Sequence, residues 1–407
     1  MPKPGYKLAN WYFGKYEEIP EEWSMNLMKD LCKVRQGLQI PISERFNESG
    51  PNRSTYITVK AVHSGKFEEF IENPGKRVVC TKDDILFTRT GNTGEIITNI
   101  EGVFHNNFFL VDFDRKILSK NYLIYFLKQG KIQGFIRGLA GSTTIPDLNH
   151  DDFFRLLMPV PPIEEQKKIA SILNTVDNLI AKYDSIIDST KLLKQGLMQT
   201  LLTKGIGHKK FKIVKWYFGK EIEIPEDWEV KTIDDSCNVL DSERVPLNSE
   251  EREKISGEIP YYGANGVQGH INKYLFDEDL VLLAEDGGYF DEYQFRPIAY
   301  FISGKSWVNN HAHVLSAKSN NVLKWIFYSL VHKNILPWIN GSTRTKLNQS
   351  DLKQIQICIP SIQEQQKIAS ILDGVDSKIS ELESKKTSLE KLKKGLMQKL
   401  LTGQIRV

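Results

Sequence analysis

Three stretches of this sequence place hydrogen-bonding side chains on glycine-rich turns, where loops on a rigid scaffold carry recognition. Thr88-Arg89-Thr90-Gly91-Asn92-Thr93-Gly94 offers one cation among hydroxyls and an amide. Tyr261-Tyr262-Gly263-Ala264-Asn265-Gly266-Val267-Gln268 and Glu285-Asp286-Gly287-Gly288 add aromatics, amides and two carboxylates. Arginine pairs bidentately with guanine, asparagine and glutamine pair with adenine, and a carboxylate accepts from cytosine, so such turns suit the reading of base edges. Lys33, Arg35, Arg53 and Arg344 are candidates for gripping phosphates, which need only positive charge and donors. Asn310-His311, and the Ser142-Thr143 and Ser342-Thr343 pairs of the matching loops GSTTIPDLN and GSTRTKLN, complete the candidate set. Taken singly, each reads equally as a turn or a solvated face. Asn106-Asn107 and Asn309-Asn310, at matched places in two halves of the chain, equally suit shared support of the fold.

Catalytic patterns are missing from the sequence. No Gly-Lys follows a glycine at the spacing of a Walker phosphate loop, and no nucleophile elbow, HExxH or zinc pattern occurs. Pro146-Asp147 with Glu165-Gln166-Lys167 has the form of a loose nuclease motif, in which carboxylates hold Mg²⁺ and a lysine polarises water. Its repeat, Glu364-Gln365-Gln366, lacks the lysine and has no Pro-Asp partner, so the structural reading is preferred. His311-Ala312-His313 places two imidazoles on one strand face, but nothing in the sequence puts an acid or cysteine beside them. No metal site is expected.

The elements that must position these turns are written twice. WYFGKYEEIPEEW (Trp11 to Trp23) recurs as WYFGKEIEIPEDW (Trp216 to Trp228), IEEQKKIASILNTVD from Ile163 as IQEQQKIASILDGVD from Ile362, and GLMQTLLT from Gly196 as GLMQKLLT from Gly395. Between these shared segments the two copies barely resemble each other. The organisation expected is a variable domain over 1–160, a helical spacer over 161–205, a second variable domain over 206–359 and a second spacer over 360–407. The variable domains alternate β-rich runs (STYITVKAV, KRVVC, DILFTRT, IITNI and FHNNFFLVDF in the first) with turns, before a helix from Asn121 in one and Asn321 in the other. Both are read as α+β domains of one fold.

The spacers are helical by pattern. Pro161 and Pro162 precede Glu164 and Glu165, an N-terminal signal, and TKGIGH from Thr203 is the stop. Heptad counting gives one apolar line at Ile169, Val176, Tyr183, Thr190 and Leu197, with a second three residues on at Ile172, Leu179, Ile186 and Leu193. In the second copy Ile368, Val375, Leu382, Leu389 and Leu396 form the first line. The second begins at Ile371 and is interrupted by Lys378 and Lys385. Helices this long with polar faces rarely stand alone, and the simplest pairing is with each other, antiparallel about a pseudo-twofold axis. Dimerisation with other chains is the alternative.

Composition bounds the rest. The 407 residues suit two or three domains, and 54 Lys+Arg against 51 Asp+Glu give only +3. Divided along the repeat, 1–160 carries 21 basic and 19 acidic residues, 161–210 carries 8 and 5, 211–360 carries 16 and 21, and 361–407 carries 9 and 6. The helices are thus basic and the second domain acidic, so polyanion binding there must rest on a few placed groups. With no apolar run of membrane-spanning length and no secretory signal, a cytoplasmic protein is expected. The widely spaced cysteines read as buried thiols.

Together, the Pro-Pro-Ile-Glu-Glu-Gln-Lys-Lys-Ile-Ala segment at Pro161 to Ala170, the Gly-Leu-Met-Gln-x-Leu-Leu-Thr endings, the Ile-Pro-Glu-(Glu/Asp)-Trp openings and the phrases YYGANGVQGHINKY and WVNNHAHVL resemble the specificity subunit of type I restriction-modification systems. The resemblance covers essentially the whole chain. Ser361 and Gln363 depart from the spacer motif, which weakens a helix cap. The resemblance implies a non-catalytic reader of double-stranded DNA. Each target-recognition domain would read one half of a bipartite asymmetric site, and the helices would set the gap and dock partners. Those partners would be two modification subunits, which bind S-adenosylmethionine, and restriction subunits that use ATP and Mg²⁺; this chain itself would hold no cofactor. A coiled-coil interaction protein with two ligand-binding heads is the alternative.

Overall fold

The computed structural model describes residues 2–11, 16–141, 147–341 and 345–407. The chain divides into two compact units, 1–184 with 384–407, and 185–383. Each unit therefore holds one α+β domain and half of each long helix.

The two domains share one strand order. In the first, one sheet runs Phe70–Glu72, Arg53–Ile57, Gly102–Phe104, Val79–Cys80, and the other runs Cys32–Gln36, Phe108–Phe113, Ile85–Thr88, Ile96–Ile97. The second domain repeats this with Gly266–Ile271, Ser256–Gly263, Lys305–Val308, Phe276–Asp277, and with Cys237–Val239, Ala312–Ala317, Leu280–Ala284, Ala299–Ile302. In both, the central pair of the first sheet is parallel and its other pairs are antiparallel. A two-stranded clasp closes each domain: Ser24–Leu27 pairs with Leu157–Val160, and Glu229–Thr232 pairs with Gln356–Ile359. Beyond each clasp the chain enters a long helix, Ile163–Lys204 or Ile362–Leu400.

Within each unit the two helix halves run antiparallel. Asp177 pairs with Lys393 and Asp184 with Lys386 in the first unit, each at 2.5 Å; Lys191 pairs with Glu383 and Lys194 with Asp376 in the second, at 2.8 and 2.5 Å. The first apolar line expected from the heptads faces inward. The second lies one residue further on than expected: Leu173, Ile180, Ile187, Lys194 and Leu201 turn inward, as do Leu372, Ile379, Lys386, Lys393 and Leu400. Leu179 (40%), Ile186 (39%), Leu193 (57%) and Ile371 (37%) are exposed instead, and Ile172 is only half-buried against the first domain's core. The inner line carries lysines because their ammonium groups meet aspartates of the opposite helix half, a compensation that apolar counting along one helix does not reveal.

Two local expectations differ. STYITVKAV is a strand only to Ile57, after which the Thr58 hydroxyl accepts from Ala61 N and caps the helix Val59–Ser64. The helix from Asn121 is two helices, Lys120–Leu127 and Gly130–Leu139, parted where Gln129 turns extended and its buried amide donates to the Met397 carbonyl. All four cysteines are free and buried, and burial pushes the thiols of Cys32, Cys80 and Cys237 up to about 12.

Candidate nucleic-acid interface

The strand Ile85–Thr88 delivers the first polar turn. Thr88 is buried, and its hydroxyl donates to the Asn92 carbonyl and accepts from Glu95 N, tying the turn across its neck. Arg89 forms a fork on Asp147, Nε to Oδ1 at 3.0 Å and Nη2 to Oδ2 at 2.7 Å, while Nη1 reaches Gln36 Oε1 at 3.3 Å. The Thr90 hydroxyl donates to the same carboxylate at 2.6 Å. The Arg89 hydrogen bonds hold the Asp147 carboxyl below its usual range. Arg89 and Thr90 are thus committed to orienting the turn, and Thr93 bonds back to the Arg89 carbonyl. Asn92 stays at the exposed tip beside His63, which also meets Glu95 at 2.8 Å.

The proposed phosphate contacts lie elsewhere. Strand alternation puts Lys33 and Arg35 on the face opposite Gln36. Lys33 is exposed, whereas Arg35 donates to the Arg77 carbonyl. Arg53 lies 3.7 Å from the Phe46 ring centroid and donates to the Glu48 carbonyl. Ser142, Thr143, Ser342, Thr343 and Arg344 fall outside the described residues.

In the second domain, Tyr261 is structural at its ring and clamping at its hydroxyl. It is 2% exposed, accepts from Leu247 N and donates to Leu247 O. Tyr262 is half-buried, with burial raising its phenol. Asn265 donates to the Gly287 carbonyl, and Gln268 accepts from Asn309. Tyr261, Gln268, Asn310 and His311 line a cleft of about 510 Å³. The cleft also contains Asn248, Glu251 and Arg252, which sequence reading did not select.

Behind the cleft, Glu285 joins a buried ionic cluster. Arg244 meets Glu285 at 2.6 Å and Asp241 at 3.4 Å, and Lys346 meets Glu285 at 3.0 Å. His313, wholly buried, sits between Asp241 Oδ2 at 2.6 Å and the Leu347 carbonyl at 2.8 Å. Burial pushes the Asp241 carboxyl up, but the His313 hydrogen bond and charge, Val314 N and Arg244 outweigh it and hold the group down. Acids thus do flank both histidines, Asp241 beside His313 and Asp286 at 2.6 Å from His311. Asp241, Glu285 and His313 lie close enough to share a cation by donor type. Arg244 and Lys346 already supply the positive charge there. At the same ladder position the first domain has Phe109, stacked on Phe87, in place of His313 opposite Leu283.

The shared motifs form joints between domain and helix. In the first unit the buried Trp23 indole donates to Glu165 Oε2 at 3.0 Å, and Arg406 grips the same carboxylate with Nε at 2.6 Å and Nη2 at 3.0 Å. In the second, Trp228 donates to Glu364 at 3.0 Å, and His208 takes the place of the arginine at 2.9 Å. Gln166 and Gln365 each hold the chain that enters a domain helix, through Ser119 N and Val322 N. Gly403 and Gly205 adopt positive φ at the far helix ends, where a Cβ would strike Pro20 or Trp228. Tyr125 donates toward Asn174 and Asp177, Tyr328 toward Asp373 and Asp376. Glu165, Gln166 and Lys167 are therefore joint and helix-surface residues, Lys167 pairing with Glu164.

This arrangement defines a duplicated α+β scaffold that carries divergent polar loops on like helical joints. The chain matches the family model described as "Type I restriction modification DNA specificity domain" over residues 20–188 and 225–393, and it belongs to that family. The type I restriction enzyme MjaVIII specificity subunit of Methanocaldococcus jannaschii is 28% identical over 424 residues, covering 96% of this chain and 94% of that protein. The EcoprrI specificity subunit of Escherichia coli is 22% identical over 236 residues, 58% of this chain and 56% of that one. The fold is also that of the type I restriction-modification S subunit from M. genitalium, with a TM-score of 0.60 at 18% identity, covering 93% of this chain and 96% of the other. Among the described residues, no helix is long and apolar enough to cross a membrane.

Proposed function

We propose that this chain is the DNA-sequence reader of a type I restriction-modification complex and performs no catalysis itself. Each domain reads one half of a bipartite, asymmetric site in double-stranded DNA. The two long helices fix the gap between the half-sites and dock two modification subunits. Methyl transfer from S-adenosylmethionine and ATP- and Mg²⁺-driven restriction belong to those partners, in the cytoplasm. The observation that carries this reading is the pairing of one strand order and like joints with loops that differ between the copies. A reader of two unlike half-sites needs constant positioning and variable contacts. Lys33, Asn92, Asn265, Gln268, Asn310 and His311 are the candidate contacts that keep exposed or half-exposed polar groups.

The test is domain exchange. Replacing residues 233–355, inside the second clasp, with the matching segment of another family member should change one half-site in the methylated motif found by methylation-sensitive sequencing. A change in both halves, or in neither, refutes the modular reading. Deleting four residues from one long helix should alter the gap, and an unchanged gap would show that the helices do not set it.

A further inference from the structure

The two domains share a second device that they use differently. Tyr56 and Tyr261 occupy matching positions on the parallel strand pair, opposite Val103 and Trp307. Each hydroxyl clamps a neighbouring loop, Tyr56 through Leu38 O at 2.7 Å and Ile40 N at 3.1 Å, Tyr261 through both backbone groups of Leu247. Each ring carries a guanidinium near its face, Arg45 at 4.9 Å and Arg252 at 5.1 Å from the centroid.

Arg45 spends its donors internally. Nε and Nη2 reach the Ile40 carbonyl at 3.0 and 2.7 Å, and Nη1 reaches Glu69 at 3.1 Å. Arg252 does not. Nη2 makes one long bond of 3.3 Å to the Ser249 hydroxyl, Nε is buried with no partner, and no carboxylate pairs with the group among the described residues. The adjacent Glu251 is occupied by a capping box with Asn248. A planar donor group held on an aromatic face, with most of its donors unspent, therefore lines the 510 Å³ cleft together with Asn310 and Gln268. A buried donor left without a partner is costly, and Nε is such a donor, so the second domain does not itself satisfy this group.

We propose that Arg252 is a specificity residue of the second domain, reading a guanine presented to this cleft through its O6 and N7 acceptors. The inference rests on the DNA-reading function proposed above. Guanine fits because it offers two coplanar acceptors to a planar fork, whereas a phosphate demands no particular plane. The Tyr261 ring lies beneath the guanidinium and the Tyr261 hydroxyl fixes the loop beside it. Arg45, near the matching Tyr56 ring, is a structural residue.

The experiment selects bound sequences from a random duplex pool, using the full chain co-expressed with its modification subunits. Wild type is compared with Arg252→Lys, Arg252→Ala and Arg45→Ala, each checked for thermal stability. Arg252→Lys keeps the charge and loses the fork, so preference at one G·C pair of one half-site should fall roughly ten- to a hundredfold, with the other positions unchanged. Arg252→Ala should do the same, and Arg45→Ala should lower stability without relaxing any position. A uniform loss across sequences with a shallower salt dependence would overturn the guanine assignment in favour of a phosphate contact. Unchanged selection by a folded Arg252→Ala chain would overturn any role for the residue. If wild type itself selects no bipartite motif, the DNA-reading function fails, an outcome distinct from both.

Discussion

Removing Glu165 tests whether the shared motifs act as a joint. Its carboxylate, 6% exposed, accepts from the wholly buried Trp23 indole and twice from Arg406. Glu165→Ala strands the indole N–H at about 1–3 kcal/mol. It also breaks a charged pair, a loss of about 3–5 kcal/mol when both partners are buried. Arg406 is exposed and keeps Glu22 at 2.8 Å, so most of the second cost is relieved by water and by that partner. The net expected destabilisation is about 3 kcal/mol, a fall of roughly 6–12 °C in the melting of a unit of this size. Glu165→Gln retains an acceptor for the indole but presents an N–H₂ to Arg406, and should cost about half as much. Because the chain has two units, unfolding is best followed by hydrogen exchange resolved to peptides. Protection should drop in 16–27 and 157–176 and persist in 221–232; Glu364→Ala should do the reverse. A loss below about 0.5 kcal/mol, or an equal loss in both units, would refute the joint.

Three other outcomes follow from the same packing. Burial holds the Lys333 amine down to about 8, in a cavity of about 280 Å³ shared with Cys358 and 4.7 Å from the Trp216 ring centroid. The unfolded chain keeps that proton to about pH 10.5, so the second unit should gain up to about 3 kcal/mol between pH 8 and 10.5; Lys333→Met should abolish this slope in urea unfolding. A double-mutant cycle on Arg89→Ala and Asp147→Ala should return a coupling of about 1–2 kcal/mol, and near-zero coupling would show that the fork does not hold the turn. Leu173→Ala or Ile187→Ala should cost about 2–4 kcal/mol, whereas Leu179→Ala or Ile186→Ala should change stability by under about 0.5 kcal/mol. Equal costs in calorimetry would restore the helix phase expected from sequence.

The duplicated architecture was legible because it is written in long similar segments, and the helix bounds followed from Pro162 and the glycines after Thr203. The first heptad line was legible because all but one of its positions carry apolar or aromatic side chains in both copies. Its partner line was not, since Lys194, Lys386 and Lys393 occupy inward positions that are neutralised by aspartates far along the chain, Asp376, Asp184 and Asp177. Apolar leucines meanwhile fall on the exposed flank. Trp23, Glu165, Trp228 and Glu364 fall within the repeated motifs, but Arg406 and His208 lack any local pattern that marks them as partners of Glu165 and Glu364. Arg89 looked free because its partner, Asp147, lies 58 residues on. Arg252 sits in no sequence motif, and only its contrast with Arg45 distinguishes it.

The contrast between joint and interior explains how two copies with little common sequence keep one geometry. Where His313 anchors an ionic cluster in the second domain, Phe109 anchors an aromatic one in the first, and the strand order is unchanged. Interiors of equivalent volume can exchange chemistry as long as each is internally satisfied. The joints have less freedom. An apolar contact alone would tolerate rotation of a domain on its helix, but an indole N–H aimed at a carboxylate, a glutamine holding a backbone amide and a tyrosine hydroxyl set between two side-chain acceptors each prescribe direction as well as distance. Their atoms come from both helix ends and from the edge of the clasp, so they constrain each domain without involving its loops. Changes in the loops therefore leave the seating of the domain intact and need not disturb the helices.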